Sequence, residues 1–158
     1  LEKNKNQLLA LANTRSRLRM TTLYYYAQLN NSLVVGTGNK VEDFGIGFYT
    51  KYGDGGVDLS PIADLMKSEV FKLAKSLNIN KDILEAPPTD GLWDNDQTDE
   101  DQIGATYEEL EWAMKNSKSK NLSQREREVL KIYNHFHNTN KHKMIPIPVC
   151  NIPDNIRY

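Results

Sequence analysis

Four residues in the first half of the chain have the chemistry to hold a phosphorylated ligand: Thr37, Glu42, Lys51 and Lys67. Thr37 and Gly38 close the run "SLVVGTGN", whose β-branched residues predict a buried parallel strand entering a turn. In open α/β sheets, ligands bind beyond the carboxyl ends of the strands, where this turn is expected to lie. A hydroxyl, bare amides and the Glu42 carboxylate suit a nucleotide with a divalent cation, because Mg²⁺ takes oxygen ligands and keeps waters. Taken alone, GTGN is more simply a plain turn.

The second constellation is "TKYGDGGVD", residues 50–58. Lys51 offers a compact point charge for phosphate. Gly53, Gly55 and Gly56 let backbone amides approach a ligand without a Cβ in the way. Asp54 and Asp58 repel phosphate, which leaves them to accept ribose hydroxyls, hold Lys51 or close turns. By spacing alone, a glycine-rich hairpin with turn aspartates is the plainer reading. Lys67 stands early in the next expected helix; it is either an ordinary surface lysine or the reinforcement of an anion site at a helix N-terminus.

Two other clusters fail on spacing. "DNDQTDED" starts like a calcium loop, but Asp99 stands where glycine is needed and Ala105 where the loop ends in glutamate. His135, His137, His142 and Cys150 lack the spacing of a zinc finger, and His135 and His137 fall on different faces of one helix.

The elements that must position these residues are set by periodicity. Residues 5–30 predict one long helix, with Ala12, Ser16, Met20, Leu23 and Ala27 on one stripe and Arg17 on another face from Arg15 and Arg19. Residues 39–45 predict a helical turn. Ser60-Pro61 reads as a helix cap followed by a stripe of Leu65, Met66, Val70, Leu73, Ala74 and Leu77. A short helix is expected over 80–86. Residues 89–104 read as a long polar loop, and residues 88–103 have a lid's composition. Thr106 with Glu109, and Ser123 with Glu126, are capping-box pairs that open helices near 107–115 and 124–138. The order helix, strand, turn, helix argues for an α/β fold with a parallel sheet in a single domain.

Composition sets the bounds. The 158 residues are 39% hydrophobic and 26% charged with a formal net charge of -1, ordinary for a soluble globular domain. No overall basic field draws the chain to nucleic acid, and no apolar run is long enough to span a membrane. The single cysteine, Cys150, precludes an internal disulfide and suits a reducing, cytoplasmic setting.

Taken together, "RSRLRM" (15–20), "GTGNKVED" (36–43), "GFYTKYGDGGVDLSPIADLMKSEV" (47–70), "APPTDGLW" (86–93), "QTDEDQIGATYEEL" (97–110) and "HKMIPIP" (142–148) resemble the ammonia-dependent NAD synthetases. They occur in family order and cover most of residues 12–148. The resemblance implies a Rossmann-like parallel sheet of the adenine nucleotide alpha-hydrolase type. It also implies a reaction in which ATP adenylates nicotinic acid adenine dinucleotide and ammonia displaces AMP to give NAD. On the matching positions, Thr37, Lys67 and Thr89 are expected to contact ATP, and Glu42 to bind Mg²⁺. Arg17, Lys51, Asp58, His142 and Lys143 are expected to contact the dinucleotide, with Asp54 beside them. A homodimer is implied, and the Tyr24-Tyr25-Tyr26 run is a candidate for its contact or for the core. The family's Ser-Gly-Gly-x-Asp-Ser phosphate loop and its strands do not occur in this sequence. The chain is therefore expected to be the C-terminal part of one NAD synthetase domain, with an incomplete sheet and little activity alone. The rival expectations are another ATP pyrophosphatase of the same fold and an inactive dinucleotide-binding fragment.

Overall fold

A computed structural model describes residues 4–93, 98–116, 119 and 121–157. Asn4 starts α1 (Lys5–Leu29) with a capping box: its side chain accepts from Gln7 N, and the Gln7 side chain accepts from Asn4 N. Asn31, in the left-handed region at φ 49°, turns the chain after it. A π-helical turn comes next at Lys40–Ile46, capped by Asn39, whose buried side chain accepts from Val41 N and Glu42 N. The remaining elements are α2 (Lys67–Ser76), α3 (Lys81–Leu84), α4 (Asp99–Ile103), α5 (Tyr107–Asn116), α6 (Gln124–Met144) and a 3₁₀ turn at Asp154–Ile156.

The core lies between the π turn, α5 and α6. Val41 and Ile46 are fully buried there against Leu110, Ala113, Val129 and Tyr133. Packing from both sides explains why so short a turn is well defined: two aliphatic side chains near opposite ends of it are removed from water at once. α1 stands outside this cluster. Only Ala12 and Ser16 on its stripe are buried, and Leu23 is 56% exposed. Polar contacts hold α1 instead: Thr50 Oγ1 donates to Asn13 Oδ1 at 2.7 Å, and Ser16 Oγ donates to Asp54 Oδ1 at 2.7 Å.

Both capping-box helices form where expected. Glu109 accepts from Thr106 N, and Glu126 from Ser123 N. α6 runs further than expected, to Met144, so His142 and Lys143 lie in its last turn, where basic residues complement the helix dipole. Three expectations are corrected. The helix assigned to Pro61 begins only at Lys67, because Ser60–Leu65 closes into short-range turns and Leu65 O accepts from Lys40 N. Of the stripe only Met66, just before α2, is buried; Leu73 and Leu77 face solvent. The loop at 89–104 is not all loop, because Thr98 and Asp101 cap each other's backbone and start α4.

The parallel sheet, expected to be incomplete, is represented by very little. Among the described residues one isolated β-bridge forms, between Val35 and Leu59, and it is parallel. Gly36 N donates to Leu59 O at 2.7 Å and Asp58 N to Val34 O at 2.9 Å. A strand needs a run of ladder bonds to a neighbouring segment, and no other described segment extends this rung.

Candidate functional site

A cleft of about 880 Å³ opens between α1, the π turn, the start of α2 and the last turn of α6. Thr37, Glu42, Lys51 and Lys67 all line it, as do Arg17, Asp54, Thr89, His142 and Lys143. Asp58 alone of the expected site residues is absent from the lining. Its two oxygens accept from Tyr24 Oη at 3.0 Å and Val34 N at 2.8 Å, which fixes the 50–58 loop to the end of α1 and to the single rung.

Each wall has a local cause. Gly38 leaves room for Asp43: a Cβ at that position would collide with the Asp43 carboxylate. Burial, with Glu42 and then Asp54 nearby, pushes the Asp43 carboxyl up to about 6. Asp54 accepts from Thr50 N as well as Ser16 Oγ, so it closes its own loop while facing the cleft. Lys51 Nζ donates to His142 O at 2.7 Å, and Arg17 Nε donates to Lys51 O at 3.3 Å. Lys143 Nζ donates to Gly47 O and Tyr49 O, and burial pulls its ammonium down from the usual lysine range. Lys143 thus works first as a clamp between α6 and the 47–51 strap. Arg15 and Arg19 reach from α1 to the carbonyls of Leu92, Asp90 and Gly91, which holds the segment carrying Thr89 against the helix.

The cleft lining contains an ion pair. Lys67 Nζ donates to Glu42 Oε1 at 2.9 Å, with both side chains largely shielded from water. α2 is held in place for this by a buried carboxylate: Glu111 of α5 accepts from Ser68 N and Ser68 Oγ, each at 2.8 Å. Beside the pair lie two residues that sequence reasoning did not place in the site. Tyr107 presents its ring to Lys67, and its hydroxyl donates to Asp99 Oδ2 at 3.2 Å. Asp99 is buried, its other oxygen has no hydrogen-bond partner, and burial raises its carboxyl above the usual range. The Thr98-x-x-Asp101 spacing was the signal available for α4, and so for Asp99.

Mg²⁺ bound with a nucleotide needs one or two protein carboxylates, the rest of its shell coming from phosphates and water. Glu42 is one of the cleft carboxylates that could serve as such a ligand, and here it is bonded to Lys67. Among the described residues no group of three or more histidine, cysteine or acidic side chains is placed to hold a metal ion. His137 instead stacks on Tyr133 and bonds to Gly45 O. Residues 94–97 of the rejected calcium loop lie outside the described residues. Among the described residues no helix is long and apolar enough to cross a membrane.

The backbone matches solved synthetases. An NMN synthetase from Francisella tularensis superposes with a TM-score of 0.79 at 40% identity, over 92% of this chain and 58% of that one. An NH3-dependent NAD synthetase from Campylobacter jejuni, solved with a nitrate ion, superposes with a TM-score of 0.69 at 26% identity, over 96% and 58%. The backbone is thus of the class that these two synthetases share.

The model of the NAD synthase family matches residues 1–146, and the chain belongs to that family. The NH3-dependent NAD+ synthetase of Alkaliphilus metalliredigens is 43% identical over 89% of this chain and 54% of its own length. That of Methanococcoides burtonii is 52% identical over 63% and 37%. The chain spans about half the length, or less, of the curated relatives it matches.

Proposed function

We propose that the cleft is part of the site of an ammonia-dependent NAD synthetase. In this reading the nicotinate carboxylate of nicotinic acid adenine dinucleotide attacks the α-phosphorus of ATP and pyrophosphate leaves. Ammonia then attacks the acyl carbon, AMP leaves with the bonding pair, and the amide nitrogen loses a proton. One observation carries the reading: Thr37, Glu42, Lys51 and Lys67, far apart in sequence, line one cleft in a chain of this family. Lys67 and Thr37 bind ATP, with Thr89 brought in by its loop. Arg17, Lys51 and His142 face the acid dinucleotide, supported by Asp54 and Lys143. Asp58 acts at one remove by holding the 50–58 loop. Glu42 would hold Mg²⁺, which supplies charge neutralisation at the phosphates. For Glu42 to do so, Lys67 must turn from it to a phosphate. Fixed cations at a developing anion lower the barrier most where water is scarce, as at this shielded pair.

The same reading takes the working form to be a cytoplasmic homodimer. The test is calorimetric titration with nicotinic acid adenine dinucleotide and, separately, ATP. Binding of both, weakened by Lys51→Ala and Lys67→Met respectively, supports the assignment. No binding of either would overturn it.

A second reading has a specific support. The likeness to the Francisella NMN synthetase is stronger in both identity and TM-score than that to the Campylobacter NAD synthetase. The acid substrate is then the mononucleotide. A titration in which nicotinic acid mononucleotide binds at least as tightly as the dinucleotide would favour it.

A further inference from the structure

We propose that Tyr107 is a positioning residue for nucleotide binding, holding Lys67 ready beside Glu42 through its ring and its hydroxyl bond to Asp99. The inference rests on the assignment of Lys67 to ATP above.

The geometry is specific. Lys67 Nζ lies 4.6 Å from the Tyr107 ring centroid, within the range of a cation–π contact. The same ammonium donates to Glu42 Oε1 at 2.9 Å. Lys67 is therefore held on two sides: by a carboxylate and by a π face. The ring cannot swing away, because it is 6% exposed and belongs to the core around Leu110 and Val129. Its hydroxyl is fixed at the far end by Asp99 Oδ2 at 3.2 Å.

This arrangement suits a lysine that must change partners. The carboxylate bond alone would leave Lys67 nothing to rest on once Glu42 is drawn to a metal or the ammonium to a phosphate. The ring stays in contact throughout, because its attraction depends on proximity to the face and not on one donor direction. A preset lysine loses less side-chain entropy when phosphate arrives, which is read as affinity. Asp99 gives the hydroxyl a reason to stay in place: it is buried, and its Oδ1 already lacks a partner. Losing the Tyr107 bond would leave the whole carboxylate without a donor.

The test is equilibrium binding of ATP to the wild-type chain, Tyr107→Leu, Tyr107→Phe, Lys67→Met and the Lys67→Met/Tyr107→Leu double variant. Tyr107→Leu should weaken ATP binding about tenfold, and Tyr107→Phe should recover it to within about threefold of wild type. In the Lys67→Met background, Tyr107→Leu should change affinity by less than about twofold, because its effect runs through the lysine. Additive losses would overturn the proposal while leaving the nucleotide reading intact. Failure of the wild-type chain to bind ATP would sink both. A nuclear magnetic resonance measurement reads the contact without any ligand: the Lys67 ε-methylene should be shifted upfield by the ring in wild type and in Tyr107→Phe. An unshifted signal in the wild-type chain overturns the proposal even if Tyr107→Leu does not fold.

Discussion

Lys143 and Tyr49 are bonded to each other in both directions: Lys143 Nζ donates to Tyr49 O at 2.7 Å, and Tyr49 Oη donates to Lys143 O at 2.5 Å. The exchange ties the last turn of α6 to the strap that leads into the 50–58 loop. Lys143→Met leaves the Gly47 and Tyr49 carbonyls without their donor. It should lower unfolding free energy by about 1–3 kcal/mol, read from denaturant midpoints at constant slope. An unchanged midpoint would show that the strap does not depend on this clamp.

Asp43 gives the site a pH signature. Its carboxyl is pushed up to about 6 from the usual 3.8, first by burial. Between those values the folded chain binds more protons at this residue than the unfolded chain, so its contribution to stability falls as pH rises through the window. Asp43→Asn removes that slope. The variant should be more stable than wild type at pH 7–8, by about 1–2 kcal/mol after allowance for solvent screening. Thermal melts from pH 4 to 8 check it; parallel curves for the two proteins would contradict the assignment.

Glu111 carries α2. One buried carboxylate accepts both Ser68 N and Ser68 Oγ, at the helix N-terminus where negative charge is favoured. Glu111→Ala removes the charged acceptor of both bonds and should cost about 1–3 kcal/mol. Glu111→Gln keeps an acceptor oxygen and should cost less. Equal losses in the two variants would assign the effect to volume and not to the bonds.

The segment at Asp90–Leu92 depends on α1 through Arg15 and Arg19. Leu92 is buried while Asp90 and Gly91 are not, so these bonds are the main polar ties of the segment and local opening should depend on them. Chymotrypsin cleavage after Leu92 or Trp93 should quicken several-fold in Arg15→Ala/Arg19→Ala, with other sites unaffected. Unaltered cleavage would mean that the arginines go with the loop and do not hold it.

Much of this was legible in residue order. The capping pairs at Thr106 and Ser123 marked two helices because each is a local bond between residues three apart. The convergence of Thr37, Glu42, Lys51 and Lys67 was legible through the family motifs, not through spacing. The sheet was not secured by the β-branched pair Val34-Val35, because strand pairing is a property of distant segments, and here it reduces to Val35 against Leu59. The Tyr107–Lys67 contact was equally hidden: Tyr107 looks like any core tyrosine until the fold sets α2 across it. Asp58, matched to a ligand by motif, accepts from Tyr24 Oη and Val34 N and lies outside the cleft lining, a placement that no local spacing signalled.

The wide turn at Lys40–Ile46 makes chain length itself a functional quantity. Deleting one residue from it would restore ordinary helical pitch and rotate the two flanking segments by about 100° relative to each other. Val41 and Ile46 could then no longer both stay in the interior, and the carboxylate two positions after the start would sweep away from its lysine. Insertions and deletions drifting through descendants of this gene should therefore collect in the polar stretch before Thr98 and spare these seven codons.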